Sequence, residues 1–193
     1  MIKAIIFDYY GVLTTDKYLT WLGRNPDVQA KHAEEIEALS QAQDAGLTAD
    51  EFFGQLAKIA GQPESAIRGE FDIHGVAHQG LVDYIRHLRR KGLKTAILSN
   101  SPSSLYAEVA KHHLTRLFEV VLCSEEAGVT KPDPKIYEMV LKRLGLSAPE
   151  AIFVDDREYN VRGAEAIGIE GVVYTGLTDL KAEFIRRGID TPS

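Results

Sequence analysis

Residues 4–14 read AIIFDYYGVLT, and the apolar run Ala4-Ile5-Ile6-Phe7 that stops at Asp8 decides the fold. Four consecutive apolar residues without polar alternation are the pattern of a strand buried on both faces, as in a parallel sheet. Similar runs follow at Thr95–Leu98, Val120–Cys123, Ile152–Val154 and Gly171–Tyr174. Between them lie stretches of helical periodicity: Leu81 to Lys91, Ser103 to His113, Pro134 to Leu144 and Arg157 to Ile167. Gly92, Gly145 and Gly168 stand where helix-stopping glycines are expected. Strands alternating with helices predict an α/β protein, a Rossmann-like parallel sheet core flanked by helices, with ligands bound beyond the carboxyl ends of the strands.

Residues 15–80 break the alternation. They carry helical periodicity and no convincing strand, with helices expected over Asp27–Ala45, Thr48–Ala60 and Pro63–Phe71. Thr48 is the expected N-cap of the second, and Glu51 completes a capping box. The chain therefore reads as a core of residues 1–14 and 81–193 with a small all-helical cap, residues 15–80, inserted after the first strand. Gly11 with Thr14-Thr15, and Gly75 to Gly80, would form the two connecting segments. His74 and His78 are four apart, but Gly75 argues against a continuous helix there, and structural or solvated histidines are expected rather than metal ligands.

Composition narrows the class of function. The 193 residues are 45% hydrophobic, enough for a proper core. A net charge of −6, from 22 basic and 28 acidic residues, argues against nucleic acid or an anionic membrane as partner. The single cysteine, Cys123, cannot form an internal disulfide, and a cytoplasmic location is expected. The apolar start is too short for a signal peptide and runs straight into a charged motif. Oligomeric state is not legible.

Four short motifs carry the chemistry: FDYYGVLT (7–14), LSNS (98–101), TKPDPKIY (130–137) and VDDREYN (154–160). Each falls at or near the end of an expected strand, so distant segments would converge on one site. An aspartate, a hydroxyl, a lysine and an aspartate pair make a site for phosphate and Mg²⁺, a cation that takes oxygen ligands. Singly such motifs are commonplace, and their order and spacing carry the specificity. After Lys131, Pro132 and Pro134 would hold the chain extended.

Together the motifs resemble the haloacid dehalogenase-like (HAD) hydrolase superfamily, in particular the subgroup of α-D-glucose-1-phosphate phosphatase and the epoxide hydrolase N-terminal phosphatase. The resemblance implies Asp8 as nucleophile, with Mg²⁺ held by Asp8, Asp156 and the carbonyl of Tyr10. It implies Lys131 on the phosphate and the nucleophile, with Ser99 and the Asn100 N–H donating to the phosphoryl oxygens. Asp155 and Asn160 would orient the site from behind. Tyr18 and Trp21, directly after the first connecting segment, are candidates to contact the substrate, a small phosphate ester.

One position departs from the pattern. Most phosphatases of that superfamily have an aspartate two residues after the nucleophile as acid and base, and this chain has Tyr10. Three readings stay open: a phosphatase that manages without that aspartate; a 2-haloacid dehalogenase, which has tyrosine there but resembles Ser-Ser-Asn where this chain has Asp155-Asp156-Arg157; and a phosphate-ligand-binding protein with weak turnover.

Overall fold

The computed structural model describes residues 1–44, 47–71 and 76–190, without the side chains of Leu19 and Asp44. The chain divides into two compact units, Met1–Thr14 with Ala77–Ser193, and Thr15–Val76.

The first unit holds strands β1 (Ala4–Phe7), β2 (Lys94–Ser99), β3 (Val120–Cys123), β4 (Ala151–Asp155) and β5 (Glu170–Val173). All pair in parallel, in the order β3-β2-β1-β4-β5. Central β1 pairs on both edges, with Phe7 opposite Ile97 and Val154. The N–H of Asp8 donates to the Val154 carbonyl at 2.8 Å, so the first residue beyond the strand is still tied to the sheet.

Side chains alternate across this sheet, and both faces are dry. Ile5, Phe7, Ile97 and Val154 pack on α6 (Gln79–Arg90), α7 (Leu105–Lys111) and α11 (Leu177–Arg186) through residues such as Ile85, Leu105 and Phe184. Ile6, Leu98 and Phe153 pack on α9 (Pro134–Leu144) and α10 (Glu158–Glu165) through Ile136, Tyr137, Val140 and Ala164. Burial on both faces is why the strands read as unbroken apolar runs. The short α8 (Ser124–Ala127) follows β3 directly.

The second unit contains α1 (Lys17–Arg24), α2 (Pro26–Lys31), α3 (Ala33–Asp44), α4 (Ala49–Ala60) and α5 (Glu64–Phe71). Its core is Tyr18, Trp21, Leu22, Ile36, Leu39, Phe52, Leu56 and Ile67. Edge-on rings, Tyr18 on Phe52 and Phe53 on Phe71, tie the helices together. The single helix expected over 27–45 is two helices, interrupted at His32. The first has no buried residue to hold it, and Glu34 and Glu35 favour a new helix N-terminus. Helices α1 and α11 were not expected from the sequence. Each is short, and α1 starts where the Asp16 carboxylate accepts from the Tyr18 N–H at 2.7 Å.

The segments flanking the helical unit are stitched to each other. Thr14 and Ala77 form an antiparallel bridge in the first unit, and the Thr15 N–H donates to the Val76 carbonyl in the second. The His78 ring bonds the Val12 carbonyl at 2.7 Å, the structural role expected of it; His74 lies outside the described residues. Among the described residues no helix is long and apolar enough to cross a membrane.

Helix α4 starts with the capping box: the Thr48 hydroxyl accepts from the Glu51 N–H, and the Glu51 carboxylate accepts from the Thr48 N–H. Thr48→Ala should destabilise the helical unit by about 1 kcal/mol in urea denaturation.

Candidate active site

The site is built where β1, β2 and β4 end. Asp8 is the first residue after β1, Ser99 the last of β2 and Asp155 the last of β4, so three chemical groups stand in adjacent rows of one sheet edge. Lys131 arrives on a loop between α8 and α9, and the residue is 2% exposed. Nζ lies 2.8 Å from Asp8 Oδ1 and 2.7 Å from Asp155 Oδ2. It also stands 5.4 Å above the centre of the Phe153 ring. An ammonium has three N–H groups, so with two committed, the third has no protein acceptor among the described residues.

Asp155 is fully buried and fully used. Its Oδ2 accepts from Lys131, its Oδ1 accepts the Arg157 N–H at 2.8 Å, and Asn160 Nδ2 reaches both oxygens at 3.2 Å. Asp156 turns toward the loop after β1. A Cβ placed on Gly11 would lie 2.5 Å from Asp156 Oδ2, and Gly11 has φ +81°, so this glycine answers both a backbone and a contact requirement. One carboxylate oxygen from each of Asp8, Asp155 and Asp156 falls within 4.8 Å of the others.

Electrostatics follow from burial. Removal from water pushes the Asp8 carboxyl well above its usual range, and the charges of Asp155 and Asp156 push the same way against the attraction of Lys131. Burial alone would lower the Lys131 ammonium, but Asp155 and Asp8 outweigh it and hold the lysine charged. Three carboxylates face the Lys131 ammonium and the Arg157 guanidinium, whose Nε lies 3.7 Å from Asp156 Oδ2, so one negative charge stays uncompensated, and the donors are all hard oxygens. That set fits a divalent cation such as Mg²⁺.

The Ser99 hydroxyl is buried and has no hydrogen-bond partner among the described residues, an orphan that a ligand oxygen would satisfy. Tyr10 is partly buried, its ring edge-on to Tyr9 at 4.9 Å, and its backbone bridges to Thr14. Tyr18 and Trp21, expected to contact substrate, instead have side chains in the core of the helical unit, 4% and 2% exposed. The Tyr18 hydroxyl donates to the Ile36 carbonyl. An amphipathic helix directs its aromatics to its own core, and these two follow that rule.

Three features escaped the sequence reading. The Asn100 side chain, rather than only its backbone, is engaged: Oδ1 accepts the Lys131 N–H at 2.7 Å and Nδ2 donates to the Lys131 carbonyl at 3.0 Å. The Tyr137 hydroxyl donates to the Asn160 carbonyl at 2.7 Å while its ring packs edge-on to Phe153, which joins α9 to α10 behind the ion pairs. The chain after Lys131 is also a turn rather than extended, closed by the Asp133 N–H on the Thr130 carbonyl. The first two depend on contacts between residues that no local pattern relates, although the tyrosine and the asparagine stand inside two of the motifs, whereas the turn is local and its bond spans only three residues.

Residues 2–168 match the sequence model of the haloacid dehalogenase-like hydrolase family. The chain belongs to that family. This HAD-like hydrolase is 32% identical over 184 residues to the sesquiterpene phosphatase astK of Aspergillus oryzae, covering 90% of each chain. It is 32% identical over 191 residues to a phosphatase of Mycobacterium tuberculosis, covering 87% of this chain and 85% of that one. Among solved structures it is similar to the L-2-haloacid dehalogenase of Xanthobacter autotrophicus with chloropropionic acid covalently bound, at a TM-score of 0.67 and 25% identity over 98% of this chain and 85% of that one.

The site depends on one close helix approach. A Cβ on Gly163 of α10 would meet Pro132 at 2.6 Å (Cβ) and 2.8 Å (carbonyl oxygen), beside Lys131. Gly163→Ala should cost about 1–3 kcal/mol in urea denaturation through overpacking. Gly69→Ala in α5, where nothing lies within 4 Å, should instead gain up to about 1 kcal/mol.

Proposed function

We propose that this HAD-like hydrolase is a Mg²⁺-dependent phosphatase that hydrolyses a small phosphate monoester through an aspartyl phosphate on Asp8. The observation that carries the reading is the buried arrangement of Lys131 between Asp8 and Asp155 with Asp156 alongside. A metal-free dehalogenation has no use for that excess of carboxylates, whereas a site for a cation and a phosphoryl group does. Phosphatases among its relatives support the same reading, and one structural neighbour of like fold, from Bacteroides thetaiotaomicron, is described in complex with magnesium and inorganic phosphate.

In the proposed reaction a carboxylate oxygen of Asp8 attacks phosphorus in line, and the ester oxygen leaves with the bonding electron pair. Water then attacks the aspartyl phosphate, releasing inorganic phosphate and regenerating Asp8. Lys131 keeps Asp8 oriented, and its remaining N–H and the Ser99 hydroxyl donate to phosphoryl oxygens as charge develops. Asp8, Asp156 and the Tyr10 carbonyl would hold Mg²⁺, which supplies charge neutralisation between the anionic nucleophile and the anionic ester. Asp155 is less suited to the ion because its oxygens are already used; it orients Lys131, and Asn160 orients it.

A phenol at position 10 is a poor base near neutrality, its ordinary pKa being about 10. The enzyme therefore favours leaving groups that need little protonation, such as anomeric sugar phosphates. The buried free thiol of Cys123 suits a reducing cytoplasm. A second reading, 2-haloacid dehalogenation, draws on Tyr10 and on the similarity to the Xanthobacter enzyme.

p-Nitrophenyl phosphate should be hydrolysed with Mg²⁺, and both EDTA and Asp8→Asn should reduce turnover to background. No turnover together with halide release from 2-chloropropionate would establish the dehalogenase instead. Tyr10→Phe should leave p-nitrophenyl phosphate turnover nearly unchanged. Tyr10→Asp should raise the rate on alkyl phosphates, toward the ~10²–10⁴-fold that general acid–base catalysis contributes.

A further inference from the structure

Lys131 presents a problem of placement. It belongs to no strand, standing between β3, which ends at Cys123, and β4, which begins at Ala151. Its side chain has four rotatable carbons, yet its charge must reach two carboxylates in a buried site. An ion pair of this kind is useful only if the backbone beneath it is fixed.

We infer that Asn100 is the positioning residue that fixes it. Its side-chain amide pairs with both backbone groups of Lys131, the N–H at 2.7 Å and the carbonyl at 3.0 Å, across 31 residues of chain. An asparagine side chain imitates a peptide group, carrying an acceptor and a donor side by side. It thus supplies to a loop residue the pairing that a neighbouring strand would supply within the sheet. The donor of this support directly follows Ser99, whose hydroxyl has no hydrogen-bond partner among the described residues. The strand end that offers a hydroxyl to a phosphoryl group therefore also sets where the ammonium stands, so the two anion-binding groups form one unit.

This assignment differs from a direct role in binding the ligand. It deepens the phosphatase reading without depending on it for its structural part. Asn100→Ala removes both hydrogen bonds, and Asn100→Asp keeps the shape and the acceptor while turning a second oxygen on the Lys131 carbonyl.

Two measurements test the inference. In the crystal structure of Asn100→Ala, Lys131 Nζ should move by more than ~1 Å from Asp8 Oδ1, a shift large enough to break a hydrogen bond. Both ion pairs left at their present lengths would overturn the assignment. The second is a double-mutant cycle with Lys131→Met, read as affinity for inorganic phosphate in the presence of Mg²⁺ by titration calorimetry. Asn100→Ala should weaken binding about tenfold when Lys131 is present and have no further effect when it is absent, as contacting residues do. Equal losses in both backgrounds would mean that Asn100 acts on the phosphate itself, against the inference. Should Lys131→Met not fold, the neutral Lys131→Gln takes its place in the cycle. If the unaltered protein binds no phosphate, the phosphatase reading falls while the crystal structure still decides the role of Asn100.

Discussion

The structure of the site depends on one buried ammonium. Lys131 is almost without solvent, and a charge in that position is tolerable only when paired and hydrogen-bonded. Removing one partner of such a pair typically costs about 3–5 kcal/mol, because the other charge is left uncompensated. Asp8 and Asp155 are therefore as necessary to the lysine as the lysine is to them. The surrounding contacts read as supports of this one arrangement. Asn160 holds Asp155, Tyr137 holds the backbone of Asn160, and Phe153 lies beneath the ammonium.

The sheet explains why these groups meet. Parallel pairing of β1 with β2 and β4 brings residues from three distant parts of the chain to the same edge, in register within one residue. Hydrogen bonds continue one step beyond the ladder at Asp8, so its carboxylate stands on backbone tied to the sheet. Nothing comparable supports Lys131, which explains why its loop is held by side-chain amide pairing and by the close contact of Gly163 with Pro132. The negative excess that remains is what the proposed Mg²⁺ would neutralise.

Much of the fold was legible because its causes are local. Ala4–Phe7 reads as a buried strand since both of its faces are covered, and Thr48 with Glu51 reads as a helix start since the cap is made within four residues. The placing of Asp8, Ser99 and Asp155 at one sheet edge followed from the rule that ligands lie beyond parallel strand ends, whereas Lys131 comes from the loop between α8 and α9 rather than from a strand end. What escaped was contact across the chain. The sequence marks Asn100 as polar and near a strand end, but its preference for the Lys131 backbone over a ligand is a matter of three-dimensional proximity. Tyr18 and Trp21 were misjudged for a related reason: nearness to a connecting segment says less about an aromatic side chain than the helical face it occupies.

The bridge between Thr14 and Ala77 has an evolutionary consequence. The chain leaves the sheet-bearing unit and returns to it at neighbouring points, joined by a single antiparallel bridge. Some sixty residues between those points can lengthen, shorten or be exchanged as a cassette, with little change in the spacing the flanking unit must span. Changes can therefore accumulate within Thr15–Val76 while the residues at the strand ends keep their places in the sheet-bearing unit.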